Sequence, residues 1–316
     1  MKPKSLLILV AVLVVMCVGY FALNSYNESQ KPDVTGQIIR VFDDPVENIT
    51  KMAWRFEGES VSLVQTQGGW ELENDKVFPV NVSAVEEMLT VLKNATTLRK
   101  LDNRGELSEY GLDSPLNSIS VTTADGNEKV YLIGDFNNIS KEYYLKMSGD
   151  EAVYGVADLL QLAYSKKLMD VVQMEEMPYF SGVNRVLITR GDEVIELTST
   201  REGEVRQWFV VEDGVTSKLD EVGTNNLLFE IFQFPRSECI EYNAGDDELA
   251  GYMLNPPQVR VAIHYLSNEK DTVVEVQLGG VDAEVSYARL GGSRMVYTVE
   301  KKYVDIITGV DISSLK

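Results

Sequence analysis

The chain has few residues of the kinds that build common metal and redox sites. Its 316 residues include two cysteines, Cys17 and Cys239, and one histidine, His264. Cys17 lies in an apolar N-terminal run, far from Cys239, so we expect no internal disulfide, no cysteine-based zinc site and no multi-histidine site. Acylation of Cys17, as in lipoproteins, is disfavoured because Val14–Met16 lacks a small residue. We therefore predict no metal ion and no cofactor.

Basic residues are also scarce relative to acidic ones. The chain has 29 Lys and Arg against 49 Asp and Glu, a net charge of −20. A surface of this sign repels the phosphate backbone of DNA and RNA. Nucleic acid is therefore not an expected partner.

Long apolar runs are missing except at the N-terminus. Ser5–Leu23 is almost entirely apolar and, at about 1.5 Å per residue, would span about 28 Å. Lys2 and Lys4 precede it, which predicts a single-pass signal anchor with residues 1–24 forming a cytoplasmic tip and membrane segment. The predicted location is the cell membrane, with the bulk of the chain extracytoplasmic. A cleaved signal peptide is the alternative, although Gly19–Ala22 lacks the spacing of small residues that cleavage prefers.

One stretch of the sequence is written twice. Glu106–Pro115 (ELSEYGLDSP) returns as Glu248–Pro257 (ELAGYMLNPP), and the features around it follow the same order. A period this long predicts tandem domains and not a solenoid. We expect a tether over residues 25–47, a first repeat domain over residues 48–172 and a second over residues 183–316.

Each repeat is predicted to combine strands with one amphipathic helix. Ile49–Phe56 and Ser60–Gln65 alternate as strands, and Asp125-Gly126 is typical of a hairpin turn. A helix of roughly four turns begins near Ser83, and its apolar stripe consists of Val85, Met88, Leu89 and Leu92. The predicted fold class is α+β: an N-terminal transmembrane helix, then two repeats, each an antiparallel sheet with one long packed helix.

The last hairpin of each repeat carries paired tyrosines. Tyr144 and Tyr154 are ten residues apart, as are Tyr287 and Tyr297. We expect these rings to form cross-strand packing. A sugar-binding platform is the alternative.

These features together resemble a known bacterial family, the domain of unknown function 4340 family. The resemblance rests on the Trp70 strand, the helix, the Tyr110–Pro115 turn, the strand end at Gly134 and the Tyr143–Val156 hairpin. It covers residues 48–170 and, more weakly, 183–310. It implies membrane-anchored exported proteins, often encoded beside ABC-type transporter components of the gliding-auxiliary kind, and it supplies no catalytic residue.

No motif in the sequence predicts a catalytic site. His264 falls on the more polar face of its strand. The apolar face consists of Val259, Val261, Ile263 and Tyr265, so we expect an exposed strand histidine. Asp125–Glu128 lacks EF-hand spacing, and Ser313–Lys316 matches a Ser-x-x-Lys motif only at the chain terminus. Gly279-Gly280 and Gly291-Gly292 are turn glycines without a nucleotide-binding motif.

Adjacent acids are the remaining candidates for catalysis. They occur at Asp43-Asp44, Glu86-Glu87, Glu175-Glu176 and Asp246–Glu248. In so acidic a chain they are typical of solvated surface, although a glycosidase pair cannot be recognised without spatial separations. We predict no catalytic, cofactor-binding or metal-binding residues.

The predicted function is a non-enzymatic, membrane-anchored extracytoplasmic protein. Its partners would be proteins of the membrane or envelope, and it would act as an accessory or interaction module of an ABC-type transport or cell-envelope system. An envelope glycan- or ligand-binding module is the first alternative. A carboxylate-dependent hydrolase is the second.

Overall fold

A computed structural model describes residue 20 and residues 38–101, 105–202, 205–212, 214–267, 270–282 and 285–316. The described chain divides into two compact units. The first unit comprises the described residues up to Asn74 together with Val82–Leu168, and the second comprises Asp75–Asn81 together with Met169–Lys316.

The first unit contains ten strands, two helices and short 3-10 turns. Its strands are β1 (Ile39–Arg40), β2 (Ile49–Phe56), β3 (Glu59–Thr66), β4 (Gly69–Leu72), β5 (Thr96–Thr97), β6 (Arg99–Leu101), β7 (Asn117–Thr123), β8 (Glu128–Asn137), β9 (Glu142–Met147) and β10 (Val153–Val156). Its main helix is Val82–Asn94, and a shorter closing helix, Asp158–Ala163, follows β10. The 3-10 turns are Val46–Asn48, Leu107–Tyr110 and, at the boundary with the second unit, Leu168–Val171.

Eight of these strands form one antiparallel sheet in the order β4-β3-β2-β7-β8-β9-β10-β6. Strands β1 and β5 form a separate two-stranded pair. The β8–β9 ladder shifts register between Ile133 and Phe136, which marks a β-bulge. Both predicted hairpins are confirmed: β7 turns into β8 at Asp125-Gly126, and β9 pairs with β10.

The main helix covers one face of this sheet. All four residues of its predicted stripe are buried: Val85, Met88, Leu89 and Leu92. On the sheet, Met52, Trp54, Ile119 and Ile133 are buried as well. The Trp54 indole N–H donates to the Lys166 carbonyl at 2.7 Å, which satisfies its one polar atom inside the core.

The second unit contains nine strands and three helices. Its strands are β11 (Arg185–Arg190), β12 (Glu193–Glu202), β13 (Val205–Glu212), β14 (Val215–Lys218), β15 (Arg236–Glu241), β16 (Val259–Ser267), β17 (Lys270–Asp282), β18 (Val285–Leu290) and β19 (Val296–Glu300). Its main helix is Glu221–Gln233, a short helix covers Asp246–Gly251, and its closing helix is Lys301–Thr308. A 3-10 turn, Ile312–Leu315, follows.

The second sheet has the same strand order as the first with one strand added. Its order is β14-β13-β12-β11-β16-β17-β18-β19-β15, in which β14 has no counterpart in the first sheet. The β17–β18 ladder shifts register between Leu278 and Val281, at the place that corresponds to the bulge in β8. This common order lets residues of the two units be matched through their strand registers.

A segment from the first half of the sequence belongs to the second unit. Within Asp75–Asn81, Phe78 is buried and packs edge-on against Tyr242 at 4.9 Å between ring centroids. The Tyr242 hydroxyl donates to the Asp75 carboxylate, and Val80 forms an isolated antiparallel bridge with Val172. No local pattern in the sequence predicts this excursion, because its contacts are made with residues far along the chain.

The predicted α+β class is wrong. Strands account for 46% of the described residues, arranged in three sheets, and five short helices are described. The main helix of each unit has 13 residues and is not the long packed helix that we predicted. The physical reason is that only one short segment of each unit has apolar residues at helical spacing. Elsewhere apolar and polar residues mostly alternate with period two, which favours strands.

The predicted single-pass membrane protein is also corrected. In the part of the chain that the structure describes, no helix has the length and apolar character needed to cross a membrane. A 13-residue helix is about 20 Å long, less than the hydrocarbon thickness of about 30 Å. Apart from Tyr20, the predicted segment Ser5–Leu23 lies outside the described residues. The membrane partnership and cell-membrane location that depended on a spanning helix are withdrawn.

Candidate functional site

The residues best suited to metal or redox chemistry occupy ordinary structural positions. His264 is partly buried, its side chain 18% exposed, with Nδ1 3.5 Å from a carboxylate oxygen of Asp271, whereas we expected an exposed strand histidine. Cys239 is buried on β15, and its thiol donates to the Glu241 carbonyl at 3.2 Å. Burial raises the pKa of Cys239 to about 11, which disfavours the nucleophilic thiolate.

Most adjacent acids predicted as surface residues are engaged in hydrogen bonds or ion pairs. Asp43 and Asp44 both contact the Lys129 ammonium, at 2.5 and 2.7 Å. Glu175 accepts from the Tyr297 hydroxyl at 3.0 Å, and Asp246 pairs with Arg294 at 2.7 Å. These contacts fix side chains within each unit.

The carboxyl groups with shifted pKa values all shift in the same direction. In the described residues the pKa is lowered for Asp43, Glu73, Asp75, Asp125, Asp150 and Asp311. The largest cause in each case is a hydrogen bond from a neighbouring side chain, which stabilises the ionised form. A general acid of a glycosidase needs the opposite shift.

Two further candidate motifs are used locally. The Asp125 carboxylate accepts from the Thr123 hydroxyl at 2.5 Å and from the Asn127 amide at 3.2 Å, which closes the β7–β8 turn. Ser313 donates to Asp311 at 2.7 Å, whereas Lys316 pairs with Glu212. Ser313 and Lys316 therefore engage different carboxylates.

The hairpin tyrosines pack within their own units. Tyr144 lies 4.7 Å from Tyr110, and Tyr287 lies 4.7 Å from Tyr252, measured between ring centroids. Tyr154 and Tyr297 are buried, with hydroxyls bonded to Asp150 and Glu175. This arrangement agrees with the packing interpretation of the four residues.

The repeated turn is fixed by a close backbone approach in each unit. A Cβ placed on Gly134 would lie 2.1 Å from the Tyr110 carbonyl oxygen, and a Cβ on Gly279 would lie 2.2 Å from that of Tyr252. The turn thus rests directly on the long strand, β8 or β17, where only glycine leaves room. The sequence motif that appears twice is therefore structural.

An apolar groove in the first unit is the strongest candidate for an interaction site. It lies between the end of the main helix and the start of the closing helix, with a volume of about 130 Å³. Its lining residues are Val91, Asn94, Ala95, Thr96, Val156, Ala157, Leu159 and Leu160. Leu160 is buried, but Leu159 and Leu162, one turn apart on the closing helix, are each 59% exposed.

Two aromatic residues continue the apolar surface along the sheet. Val156 on the groove floor is opposite Tyr143 in the β9–β10 ladder, and Tyr143 is opposite Phe136 across the bulge. The Phe136 and Tyr143 rings lie 4.9 Å apart, and Phe136 is 37% exposed. The Lys141 ammonium lies 6.0 Å from the centre of the Phe136 ring. We name this surface, consisting of Val91, Phe136, Tyr143, Val156, Leu159 and Leu162, the first-unit groove.

The second unit has polar or smaller residues at the matched positions. Strand register pairs Phe136 with Val281 and Tyr143 with Ser286. The closing helices align through their buried residues, Leu160 with Tyr303, which places Lys302 and Asp305 where Leu159 and Leu162 are. On the main helix, Glu230 replaces Val91. The same architecture therefore forms in the second unit without an apolar surface here.

The sequence did not predict this site, because leucines at positions 159, 160 and 162 do not show which face of a short helix is buried. An indication was nevertheless present. If the two repeats are aligned on Tyr154 and Tyr297, then five residues later Leu159 of the first repeat aligns with Lys302 of the second.

Comparison with known proteins gives one family. The family described as Domain of unknown function (DUF4340) matches residues 70–228, about half of the chain. The match begins at β4 of the first unit, includes all six residues of the first-unit groove, and ends in the main helix of the second unit. No curated protein and no solved structure matches the chain.

Proposed function

Because this chain belongs to the family described as Domain of unknown function (DUF4340), from which no activity follows, we propose from its surface that it is a non-enzymatic interaction module. The first-unit groove is the surface with which it binds another protein. The family resemblance of the repeated motif suggests as partner a component of an ABC-type transport system.

The observation that carries this proposal is the exposure of Leu159 and Leu162. Each leaves 59% of its surface in solvent beside an apolar cavity. Exposed aliphatic and aromatic residues that adjoin a concave apolar surface are typical of protein-binding sites. The architecture does not require them, because the second unit exposes Lys302 and Asp305 at these positions.

The test compares capture of partners by the full chain and by two variants. In Leu159→Lys/Leu162→Asp the closing helix of the first unit carries the residues of the second. We expect a partner that the natural chain captures to be lost from this variant. It should be retained by the control Lys302→Ala/Asp305→Ala.

Circular dichroism and the urea midpoint of each variant establish that folding is intact. The partner that is lost should then be identified by mass spectrometry, and a transport component would support the suggested class. If the groove variant captures the same proteins as the natural chain in the same amounts, the proposed binding surface is wrong.

A further inference from the structure

The charges beside the first-unit groove specify the chemistry of its occupant. Glu87 lies one helical turn before Val91 on the main helix, and Asp158 immediately precedes Leu159 on the closing helix. Both side chains are exposed, and neither has an ion-pair partner among the residues that the structure describes. Two free carboxylates therefore lie beside the apolar surface.

Three of the basic residues nearby are already engaged. Lys93 lies 3.8 Å from Glu47, and Arg99 pairs with Glu142 at 3.2 Å. Lys141 lies over Phe136, so a cation is accommodated on the exposed face of that ring. Arg40, which is exposed and lies opposite groove-lining Thr96 in the β1–β5 pair, has no ion pair among the described residues. The unpaired charges beside the groove are thus two carboxylates and one guanidinium, a negative balance in a chain whose net charge is −20.

From this arrangement we infer that the first-unit groove binds a basic amphipathic helix of a partner protein. An aliphatic side chain of that helix enters the cavity, its apolar neighbours lie on Leu159 and Leu162, and its Lys or Arg residues pair with Glu87 and Asp158. This inference rests on the proposed function and adds the chemistry of the partner. An apolar helix face laid into a groove is a common form of recognition between proteins.

The second unit supplies a built-in comparison. Its residues at the positions of Glu87 and Asp158 are Asn226 and Lys301. Lys301 pairs with Asp305 at 2.5 Å on the closing helix. Both the apolar surface and the free carboxylates are therefore confined to the first unit, and they occur there together.

The experiment uses a fluorescein-labelled helical peptide of leucine and lysine with leucines at i, i+3, i+4 spacing. A second peptide has glutamate in place of lysine, and a third is a scrambled form of the first. Fluorescence anisotropy with the full chain measures binding. We expect the leucine–lysine peptide to bind at least about tenfold more tightly than either of the others, since apolar burial and charge act together.

Two pairs of neutralised acids separate specific attraction from the general charge of the protein. Glu87→Gln/Asp158→Asn should weaken binding of the leucine–lysine peptide about fivefold and reduce its salt dependence, whereas Asp192→Asn/Asp247→Asn in the second unit should change it less than twofold. Leu159→Lys/Leu162→Asp should weaken it at least about tenfold. Lys141→Gln, which removes the ammonium that lies over the Phe136 ring, should strengthen binding of the leucine–lysine peptide.

Three results would overturn the inference. The glutamate peptide could bind as tightly, or the two neutralised pairs could have equal effects, which would mean that no specific charge match exists. Sedimentation could show a dimer that Leu159→Lys/Leu162→Asp dissociates, which would assign the groove to a second copy of the chain. If a captured partner is lost with that variant but the peptides do not differ, the proposed function stands and the basic helix is wrong.

Discussion

The two units share a strand order, a bulge and a glycine-backed turn, but they differ in the surface beside the closing helix. The first unit exposes Leu159 and Leu162 there, and the second exposes Lys302 and Asp305. Features present in both units are those that the architecture needs. The apolar surface is present in only one, so it is not a requirement of the fold and is available for recognition.

On the main helix the difference is reversed: the second unit exposes apolar residues where the first unit has polar ones. Val222 and Phe229, two turns apart, are 69% and 63% exposed, where the first unit has Ser83 and Thr90. Exposed apolar residues thus occur on different faces of the two main helices. We infer that an ancestral unit was duplicated and that the copies then diverged at their surfaces while the sheet order was kept.

The shared turn gives the largest expected effect. Alanine at Gly134 would place Cβ 2.1 Å from the Tyr110 carbonyl oxygen, and alanine at Gly279 would place it 2.2 Å from that of Tyr252. Since backbone must move in both cases, we expect Gly134→Ala and Gly279→Ala each to lower the free energy of unfolding by about 3 kcal/mol. Hydrogen exchange of peptides from each unit assigns the loss to the unit that carries the substitution.

The matched control for these variants is Gly251→Ala. A Cβ there meets no atom within 4 Å, and Gly251 ends a helix without a positive φ, so we expect no loss of stability. The structural equivalence of the two turns would be wrong if one glycine tolerated alanine and the other did not.

Much of the sheet could be predicted from the sequence because its determinants are local. Strand β2 was placed at its observed bounds, the Asp125-Gly126 turn joins the predicted strands, and the four-residue stripe identified the buried face of the main helix. The alignment of Met253 with Gly111 also holds for the backbone, since both residues have positive φ, 56° and 66°.

The remaining features depend on contacts that the sequence pattern does not encode. The excursion of Asp75–Asn81 depends on Tyr242 and Val172, which are far along the chain. The groove depends on which leucines of one short helix face solvent, and Leu159, Leu160 and Leu162 are equally apolar in sequence. The class assignment failed because strands make up most of the regular structure in each unit, beside one main helix of 13 residues.

The second prediction concerns Gly111 and Met253, the residues that follow Tyr110 and Tyr252 in the repeated turn. We expect substitution to lower the free energy of unfolding at the first and to raise it at the second. Gly111→Ala places an L-residue at φ 66° and brings Cβ 2.5 Å from the Asp135 carboxylate, so we expect a loss of about 1–2 kcal/mol. Met253→Gly relieves the same conformation at φ 56°, and we expect a gain of several tenths of a kcal/mol in the free energy of unfolding.

The double variant Gly111→Ala/Asp135→Ala separates the two causes of the first effect. If removal of Asp135 restores the urea midpoint fully, then steric contact and not the backbone conformation explains the loss. If Met253→Gly is stabilised and the double variant is only partly restored, then the positive-φ conformation itself costs free energy when the residue is not glycine. The two units would then differ in stability at this position.

The smallest expected effect distinguishes the units by their response to acid. Asp43 and Asp44 hold Lys129 in the first unit, where the second has Val274 at the position of Lys129. The hydrogen bond from Lys129 lowers the pKa of Asp43, so the unfolded chain binds this proton at higher pH than the folded one. The stabilisation is therefore complete above the ordinary aspartate pKa of about 4 and is lost as pH falls through the lower folded pKa.

Because Asp43 is 72% exposed, solvent screening limits this contribution to a few tenths of a kcal/mol. We expect Asp43→Asn/Asp44→Asn to lower the stability of the first unit at pH 7, to change it little at pH 2, and to leave the second unit unaltered at both. Hydrogen exchange at pH 7 in low and high salt, with urea midpoints at both pH values, measures this. An equal loss at pH 2 would mean that the pair acts through packing and not through charge, and the acid response would then no longer distinguish the two units.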